Sequence, residues 1–236
     1  MKTIVFLMIL ISIMVRPADA KPIGHWRFNE GEGSTIAGMN ASPPGTLSRL
    51  NENTRWVNGR SGHALHFGGE HKRRNVFGAV TMIMKPEIFT KPFTIEIWVK
   101  FDKDAPQREF KDIIGNSAER GPGFRLTYFY GSLQFRTGDG KEVKHVGTNS
   151  SQTIIPGDAW VFLALVYDGK TGRIYVNGEE KAAGELVLTQ GNKILSVGAF
   201  RSGMAYPMCG AVDEVTIYDY ARGCEEITES YLKGMQ

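Results

Sequence analysis

The chain has 236 residues, of which 42% are hydrophobic and 22% charged, and its formal net charge at pH 7 is +3. This length and apolar content suit one large domain, and all-β sandwiches of this size commonly form a single domain. The small net charge argues against a nucleic-acid-binding protein, which would carry a clear excess of lysine and arginine.

The first twenty residues have the pattern of a secretory signal peptide. Lys2 precedes an apolar run over residues 3–15, and the segment ends in small residues at Ala18 and Ala20. The run is too short to cross a bilayer comfortably, and Arg16 follows it where a longer span would need apolar residues. We therefore expect cleavage after Ala20, which lowers the net charge to +2 and leaves no membrane span. The expected location is secreted, periplasmic or extracellular, and a retained N-terminal anchor is the alternative.

From residue 21 onward, short segments with strand character recur along the whole chain. Gly, Asn, Asp or Pro separates nearly all of them, which is typical of an antiparallel β-sandwich or barrel. One short amphipathic helix is predicted over Cys224–Leu232. We therefore predict one all-β domain over residues 21–236. The predicted strands are His25–Phe28, Ala64–Phe67, Phe93–Phe101, Asp112–Gly115, Phe124–Tyr130, Leu133–Thr137, Trp160–Tyr167, Arg173–Val176, Ile194–Gly198 and Ala211–Tyr218.

Alternation within the strands predicts which side chains face the core. In Phe93–Phe101 every second residue is apolar, and Trp98 falls on the other, mostly polar side together with Glu96. The strand Trp160–Tyr167 is apolar on both sides, which indicates a central strand that is covered above and below. Asp-Gly and Asn-Gly dipeptides flank Arg173–Val176, so this strand should pair back on its predecessor through tight turns.

The sequence contains two cysteines, Cys209 and Cys224. If Gly210 to Tyr218 forms one strand, it spans about 27–30 Å, and the six residues that follow can return at most about 20 Å. The remaining gap exceeds the Cα separation that a disulfide allows, so we expect thiols that are not bonded to each other. Asn40 and Asn149 begin glycosylation acceptor patterns, which matter only in a eukaryotic source.

Six segments follow one another in an order and spacing that resemble the laminin-G-like branch of the concanavalin A-like jelly-roll superfamily. They are GHWRFNEGEGSTIA, GRSGHALHFGG, FTIEIWVKFD, WVFLALVYDGKTGRIYVNGEE, ILSVGAF and GAVDEVTIYDYARGCEEI. The resemblance covers essentially all of residues 21–236. It implies a two-sheet antiparallel jelly-roll sandwich with one short C-terminal helix, often with one structural calcium ion. Proteins of this kind bind carbohydrate or other extracellular ligands, and the resemblance does not imply an enzyme.

The resemblance also implies where calcium would bind: oxygens from the segment after the first strand, and the Asp of the last strand. Glu30 and Asp213 match these positions, and alternation turns both inward. Two inward carboxylates are costly unless a cation or hydrogen-bond donors neutralise them, and Ca²⁺ prefers oxygen ligands. Relatives usually carry an Asp where this chain has Gly38, which Asn40 would replace only in part. The alternative is that backbone N–H groups or arginines hold Glu30 and Asp213 without a metal.

The strand patterns do not favour catalysis. A glycosidase needs two carboxylates on one strand face, whereas Phe93–Phe101 offers only Glu96 there, and Asp213 and Glu214 point to opposite sides of their strand. The histidines His63 and His66 more often belong to the surface of a strand than to a metal site. We therefore expect no enzyme, and a polysaccharide hydrolase or lyase is the weakest alternative.

Two loops and one strand supply candidate ligand-binding residues. Arg73 and Arg74 lie in a basic run that is either a solvated loop or a loop that meets a sulfated or carboxylated glycan. Arg201 and Tyr206 lie in a later loop, and Trp98 could extend the site on the sheet. Aromatic faces stack on sugar C–H groups, and arginine donates to hydroxyls. The sequence predicts a secreted, non-catalytic, lectin-like module that binds a glycan or another extracellular ligand. A structural or adhesion domain that binds protein at the cell surface is the alternative.

Overall fold

A computed structural model describes residues 21–68, 77–106, 108–117, 120–151 and 155–236. The predicted signal peptide, Arg73 and Arg74 lie outside these residues. The described chain forms two antiparallel β-sheets that pack as a sandwich, as predicted. Within the described residues, no helix is both long and apolar enough to traverse a membrane.

Sixteen strands, one 3₁₀ helix and one α-helix make up the described fold. The elements are β1 (Gly24–Trp26), β2 (Thr35–Ile36), β3 (Gly45–Leu47), β4 (Thr54–Asn58), β5 (His63–Phe67), β6 (Val80–Ile83), the 3₁₀ helix (Pro86–Thr90), β7 (Phe93–Phe101), β8 (Lys111–Gly115), β9 (Phe124–Phe129), β10 (Ser132–Gly138), β11 (Val143–Gly147), β12 (Val161–Tyr167), β13 (Thr171–Val176), β14 (Glu179–Glu185), β15 (Ile194–Val197), β16 (Gly210–Tyr218) and α1 (Cys224–Gly234).

We call the two sheets A and B. Sheet A has the order β14-β13-β12-β7-β16-β5-β4, and β1 also pairs with β16. Sheet B has the order β11-β10-β9-β8-β15-β6-β3-β2. The last strand in the sequence, β16, therefore lies in the middle of sheet A, where it pairs with β5 through Gly210–Val212 and with β1 through Val215–Ile217.

The core lies between the sheets, where the inward side chains of both meet. Phe93 of β7 lies at the centre of an aromatic cluster, with its ring centroid 5.3 Å from Phe89 and 5.2 Å from Phe124. Trp26 and Phe67 are fully buried in the same core. Because burying a side chain of this size contributes about 1.5–3 kcal/mol, this core holds the two sheets together.

A second, smaller apolar cluster lies on the outer face of sheet A, where α1 packs. Trp98 of β7 and Phe162 of β12 are buried there against Ile227 and Tyr231 of α1. The helix begins after Gly223, whose N–H donates to the Glu226 carboxylate at 2.9 Å, and this contact closes the first turn. The C-terminal helix thus covers the outer face of sheet A around Trp98.

All ten predicted strands are present, and the predicted helix extends two residues further, to Gly234. The prediction missed β2, β3, β4, β6, β11 and β14. Most of these are short, and β14 has no apolar alternation to reveal it. Cys209 is buried, Cys224 is exposed, and the two are not bonded to each other, as the strand length predicts.

Candidate functional site

The outer face of sheet B carries polar side chains. Because successive residues of a strand point to opposite sides, Phe124 and Leu126 of β9 face the core and Arg125 faces outward. On β10, Phe135 faces the core and Arg136 faces outward. The charged side chains of these two strands therefore lie on the outer side of sheet B. By contrast, α1 covers much of the outer face of sheet A.

Arg125 and Arg136 lie directly opposite each other across the β9–β10 hairpin. The two-residue turn at Tyr130 and Gly131, which have φ values of 49° and 77°, fixes this register. On the next strand His145 lies opposite Arg136, and burial, together with the smaller effect of Arg136, holds the pKa of His145 below its usual value. Like charges directly opposite in a sheet are destabilising, so this arrangement carries a cost.

Asp112 of β8 forms an ion pair with Arg125. Its Oδ2 accepts a hydrogen bond from Arg125 Nη1 at 3.1 Å, and both side chains are largely buried. Burial raises the pKa of Asp112 to about 6, against the lowering effect of Arg125. Among the described residues, Asp112 Oδ1 and the hydroxyl of Thr127, its neighbour on β9, are buried without a hydrogen-bond partner. The face therefore holds unused acceptor and donor groups beside the arginines.

Arg136 contacts uncharged neighbours. Its Nη1 donates to Gln134 Oε1 at 2.6 Å, and its guanidinium lies 4.8 Å from the centre of the Phe110 ring. Phe110 in turn stacks on Phe129 at 4.0 Å and meets Tyr206 edge-on at 5.9 Å. These three rings form an aromatic rim beside Arg136.

The loop over residues 199–206 borders the same face. Arg201, Ser202 and Gly203 have consecutive positive φ values of 46°, 60° and 92°. Such backbone costs of order 1–3 kcal/mol for each non-glycine residue and persists only when its surroundings fix it. Ser196 of β15 supplies one such contact, because its hydroxyl accepts from Ser202 N–H at 3.1 Å and donates to the Ala199 carbonyl at 2.8 Å.

Phe200 connects this loop to the arginines. The guanidinium of Arg125 lies 4.7 Å from the centre of the Phe200 ring, and that of Arg201 lies 5.8 Å from it. The predicted residues Arg201 and Tyr206 thus lie on one loop, and that loop contacts Arg125 through an aromatic ring.

Two cavities both have Ser117 in their lining, and we call them together the arginine groove; the loop contributes Arg201, Ser202 and Met204 to the larger one. The larger has a volume of about 340 Å³. The smaller has a volume of about 10 Å³. The larger is lined by Gly115, Asn116, Ser117, Asn192, Lys193, Ile194, Arg201, Ser202 and Met204. The smaller is lined by Ser117, Arg120, Gly121, Arg125, Arg136, Thr137, Gly138 and Val143. These described residues include five cations and no carboxylate, so the groove favours an anionic ligand.

The family model described as laminin G of the concanavalin A-like lectin/glucanases superfamily matches residues 78–228. The chain belongs to this family. As a concanavalin A-like domain it has the two-sheet jelly-roll architecture that the sequence predicts.

Three similar proteins illustrate the range of this fold. Human pappalysin-1 is 35% identical over 86 residues, which are 34% of this chain and 5% of pappalysin-1. The binding domain of botulinum neurotoxin DC in complex with rat synaptotagmin II aligns with a TM-score of 0.69 and 13% identity, over 90% of this chain and 51% of that one. Domain 4 of AbnA, an extracellular arabinanase from Geobacillus stearothermophilus in complex with arabinotriose, aligns with a TM-score of 0.63 and 20% identity, over 89% and 98% of the two chains. The chain thus spans a small part of its curated relative and about half of the toxin domain, and the structural likenesses show the fold.

Trp98 is not a surface residue of this concanavalin A-like domain. It is 4% exposed, lies beneath α1 with Tyr231 stacked 6.0 Å away, and has the Arg60 guanidinium 4.5 Å from its ring. Its neighbour Glu96 is also buried, in an ion pair with Arg222. The prediction that Trp98 extends a ligand site on the sheet is therefore wrong, because a helix covers the face on which it lies.

Backbone N–H groups contact two of the three predicted calcium ligands of the domain, Asp213 and Glu30. Asp213 is fully buried, and its Oδ2 accepts from the backbone N–H groups of Arg60 at 2.9 Å and Ser61 at 3.5 Å, in the turn between β4 and β5. Asn29 Oδ1 accepts from His63 N–H at 2.9 Å at the other end of that turn. Glu30, next in sequence, accepts from Ala37 N–H through Oε1 at 2.8 Å.

The oxygen atoms of Asp213 and Glu30 fit a calcium site only in part. Among the described residues, Asp213 Oδ1 and Glu30 Oε2 are buried without a hydrogen-bond partner, and such oxygens suit a calcium ion. However, no three His, Cys, Asp or Glu side chains of the described chain are arranged to hold a metal. Asn40 is exposed, whereas Asn29 brings its side-chain oxygen to the turn that Asp213 holds. Backbone N–H groups thus hold one oxygen of each carboxylate, as the metal-free alternative requires.

Arg125 and Arg136 are the site residues that sequence reasoning missed. A signal was available, because Tyr130-Gly131 is a two-residue turn, and counting outward from it places residue 125 opposite residue 136. The alternation of Phe124 and Leu126 with Arg125 then turns both arginines away from the core.

Proposed function

We propose that this protein is a secreted, non-catalytic carbohydrate-binding module whose ligand occupies the arginine groove. The observation that carries the proposal is a cavity of about 340 Å³ whose lining includes Asn116, Asn192 and Arg201, on the loop that also carries the aromatic ring of Tyr206. Sugars present C–H groups that stack on aromatic faces and hydroxyls that pair with amides and hydroxyls. Cavities of this size are typical of sites for small ligands.

The fold supports this position for the site. The outer face of sheet A is covered around Trp98 by α1, whereas the groove lies on sheet B, where strands hold Arg125 and Arg136 and a strained loop holds Arg201. Side chains on rigid strands lose little freedom when they bind, which favours recognition. The AbnA domain is in complex with arabinotriose, so this fold accommodates a sugar in that protein. Export of this chain rests on the signal-peptide pattern of residues 1–20.

We expect replacement of Arg201 by Ala together with Tyr206→Leu to weaken glycan binding by roughly 10–100-fold, because a charged hydrogen bond and a stacking ring are both lost. Leucine keeps apolar packing against Phe110 and Phe200, so the melting temperature should change little. The measurement is a glycan array followed by titration of the strongest hit. Arg55→Ala, which removes an exposed arginine from β4 on sheet A, is the matched control.

Unchanged affinity in the double variant would place the sugar site outside the groove. If the unmodified protein binds neither neutral nor anionic glycans on the array, the adhesion alternative is favoured, in which the same surface binds a protein. Release of reducing sugar from pooled polysaccharides would contradict the non-catalytic assignment.

We also propose that a structural calcium ion uses Asp213 and Glu30, as the family resemblance implies. The two buried carboxylate oxygens without described partners support this proposal. When bound, calcium would neutralise buried carboxylates that are otherwise held on one side only by backbone N–H groups. No binding chemistry at the groove depends on it.

Calcium should therefore raise the melting temperature. A ligand that binds only the folded state at a hundredfold excess over its Kd contributes about 2.7 kcal/mol, which is roughly 5–10 °C for a domain of this size. Thermal unfolding in calcium and in chelator measures the difference, and Asp213→Asn should abolish it. Asp168→Asn, at the β12–β13 turn, is the control. Identical midpoints, with no calcium found by elemental analysis, would leave Asp213 as a purely structural residue.

A further inference from the structure

The charge balance of the arginine groove is incomplete. Arg125 and Arg136 face each other in the sheet, and Asp112 forms an ion pair with Arg125. The contacts of Arg136 described above are with the neutral Gln134 and Phe110, and Arg136 Nε has no hydrogen-bond partner among the described residues. Burial and the neighbouring Arg125 lower the pKa of Arg136, and the carboxylate of Asp112 offsets this only in part. A half-buried cation in this setting is stabilised by any anion that reaches it.

The smaller cavity of the groove lies at this cation. Arg120, Arg125 and Arg136 line it together with Ser117. Its volume of about 10 Å³ is that of roughly one water molecule, which is also the size of one oxygen atom of an anion. Guanidinium groups donate to carboxylate and sulfate oxygens, so three of them around such a space can receive one oxygen atom of an acidic group.

We propose that the arginine groove binds an acidic sugar, whose carboxylate or sulfate group pairs with Arg136 and Arg125. This inference rests on the carbohydrate-binding function proposed above and names the class of sugar. The larger cavity, which shares Ser117, places Asn116 and Asn192 where they meet the hydroxyls of the same or the next sugar unit. The stacked rings of Phe110 and Phe129 lie outside both cavities, where the Phe110 ring packs against the Arg136 guanidinium.

The lining of the groove distinguishes an acidic sugar from a simple polyanion. A site built only for charge would need cations over a wide surface, whereas the net charge of the whole chain is +3 and the five lining cations are confined to one groove. The side-chain amides of Asn116 and Asn192 and the adjoining acidic subsite together specify a ligand that carries both hydroxyl groups and an anionic group.

Matched polymers that differ only in charge provide the test. We would titrate the protein with polygalacturonate and its methyl ester, and with dextran sulfate and dextran, by calorimetry at two salt concentrations. Polyglutamate is the anionic polymer without sugar. The acidic member of at least one sugar pair should bind at least about 10-fold more tightly than its neutral partner. The carboxylate pair and the sulfate pair separate the two anion types.

Arg136→Gln is the diagnostic variant. It should weaken binding of the acidic polymer by roughly 10–100-fold and leave binding of the neutral polymer unaffected, since it removes one guanidinium group with its paired N–H donors. Because it also removes one of two opposed like charges, the fold should be kept or stabilised. Arg136→Lys, which keeps the positive charge but not the paired N–H donors of the guanidinium, should restore only part of the affinity. Arg55→Gln removes the same charge from sheet A and should bind normally.

Each outcome decides between the two proposals. Equal binding of the acidic and neutral sugars, or an acidic preference that Arg136→Gln leaves unchanged, would overturn the acidic-sugar inference and keep the carbohydrate-binding function. Binding of polyglutamate as tight as that of polygalacturonate, lost equally in Arg136→Gln, would show an anion site without a role for sugar and overturn the carbohydrate-binding function. Binding of none of the polymers would overturn both.

Discussion

Replacing Arg222 by Ala is expected to destabilise the protein by about 3–5 kcal/mol at pH 8, because it leaves Glu96 as a buried, unpaired carboxylate. Arg222 Nη1 donates to both Glu96 Oε1 and Ser230 Oγ, so the substitution breaks a link between β7 and α1. This cost corresponds to a fall of roughly 6–20 °C in melting temperature. Chemical denaturation followed by fluorescence measures it.

The loss should depend on pH. Burial raises the pKa of Glu96 to about 7 even with Arg222 present, and removal of the cation should raise it further. A carboxyl group whose pKa is higher in the folded than in the unfolded state stabilises the fold at any pH below its unfolded pKa. This stabilisation disappears as the pH rises through the pKa of the folded state. The deficit of the variant should therefore be large at pH 8 and smaller at pH 5. Arg222→Ala combined with Glu96→Gln should remove the pH dependence, and a deficit that stays constant would contradict a buried charge as its cause.

Replacing Trp98 by Ala is expected to cost about 3–5 kcal/mol, the usual cost of emptying a buried aromatic site. The indole packs against Phe162, Tyr231 and the guanidinium of Arg60, and a Cβ on Gly234 would come within 2.6 Å of it. Loss of the ring should loosen α1 and leave the groove on sheet B intact. Trp98→Phe, which keeps an aromatic ring in the site, should cost clearly less.

Parallel measurements of stability and glycan binding test this role. We expect lower stability with unchanged affinity when binding is measured below the unfolding transition. A Trp98→Ala protein of normal stability that no longer binds glycan would show that the outer face of sheet A, and not the groove, contacts the ligand.

The sequence predicts most of this fold because its long strands are rich in alternating apolar residues. In β7 this alternation identifies both the strand and its inward face. In β16 a bulge between Asp213 and Thr216 shifts the core-facing positions from Val212 to Val215, which alternation alone does not predict. By contrast, β14 reads Glu-Glu-Lys-Ala-Ala-Gly-Glu and forms only because the turn after β13 brings it alongside. Two-residue and three-residue strands such as β2 and β3 are likewise fixed by their partners and not by their own sequence.

The candidate site is less predictable, because it depends on which elements cover each face. Alternation correctly turns Trp98 away from the main core, but only the packing of α1 shows that this side of the sheet is closed. The loop with Arg201 and Tyr206 is recognisable as a recognition loop, whereas its contact with Arg125 runs through Phe200 and requires the three-dimensional structure. Local sequence patterns thus indicate which way a side chain points, whereas long-range packing determines whether a ligand can reach it.

The position of β16 has a consequence for how the chain folds during synthesis. Among the described strands, sheet A consists of one ribbon with β4 and β5 and another with β7, β12, β13 and β14, and β16 joins them. Between the end of β7 at Phe101 and the start of β16 at Gly210, a ribosome adding about 5–20 residues per second needs roughly 5–20 s. During that interval β5 and β7 both lack their partner strand β16, and such open edges can pair with other chains. The nascent protein is therefore most prone to aggregate just before its last strand emerges.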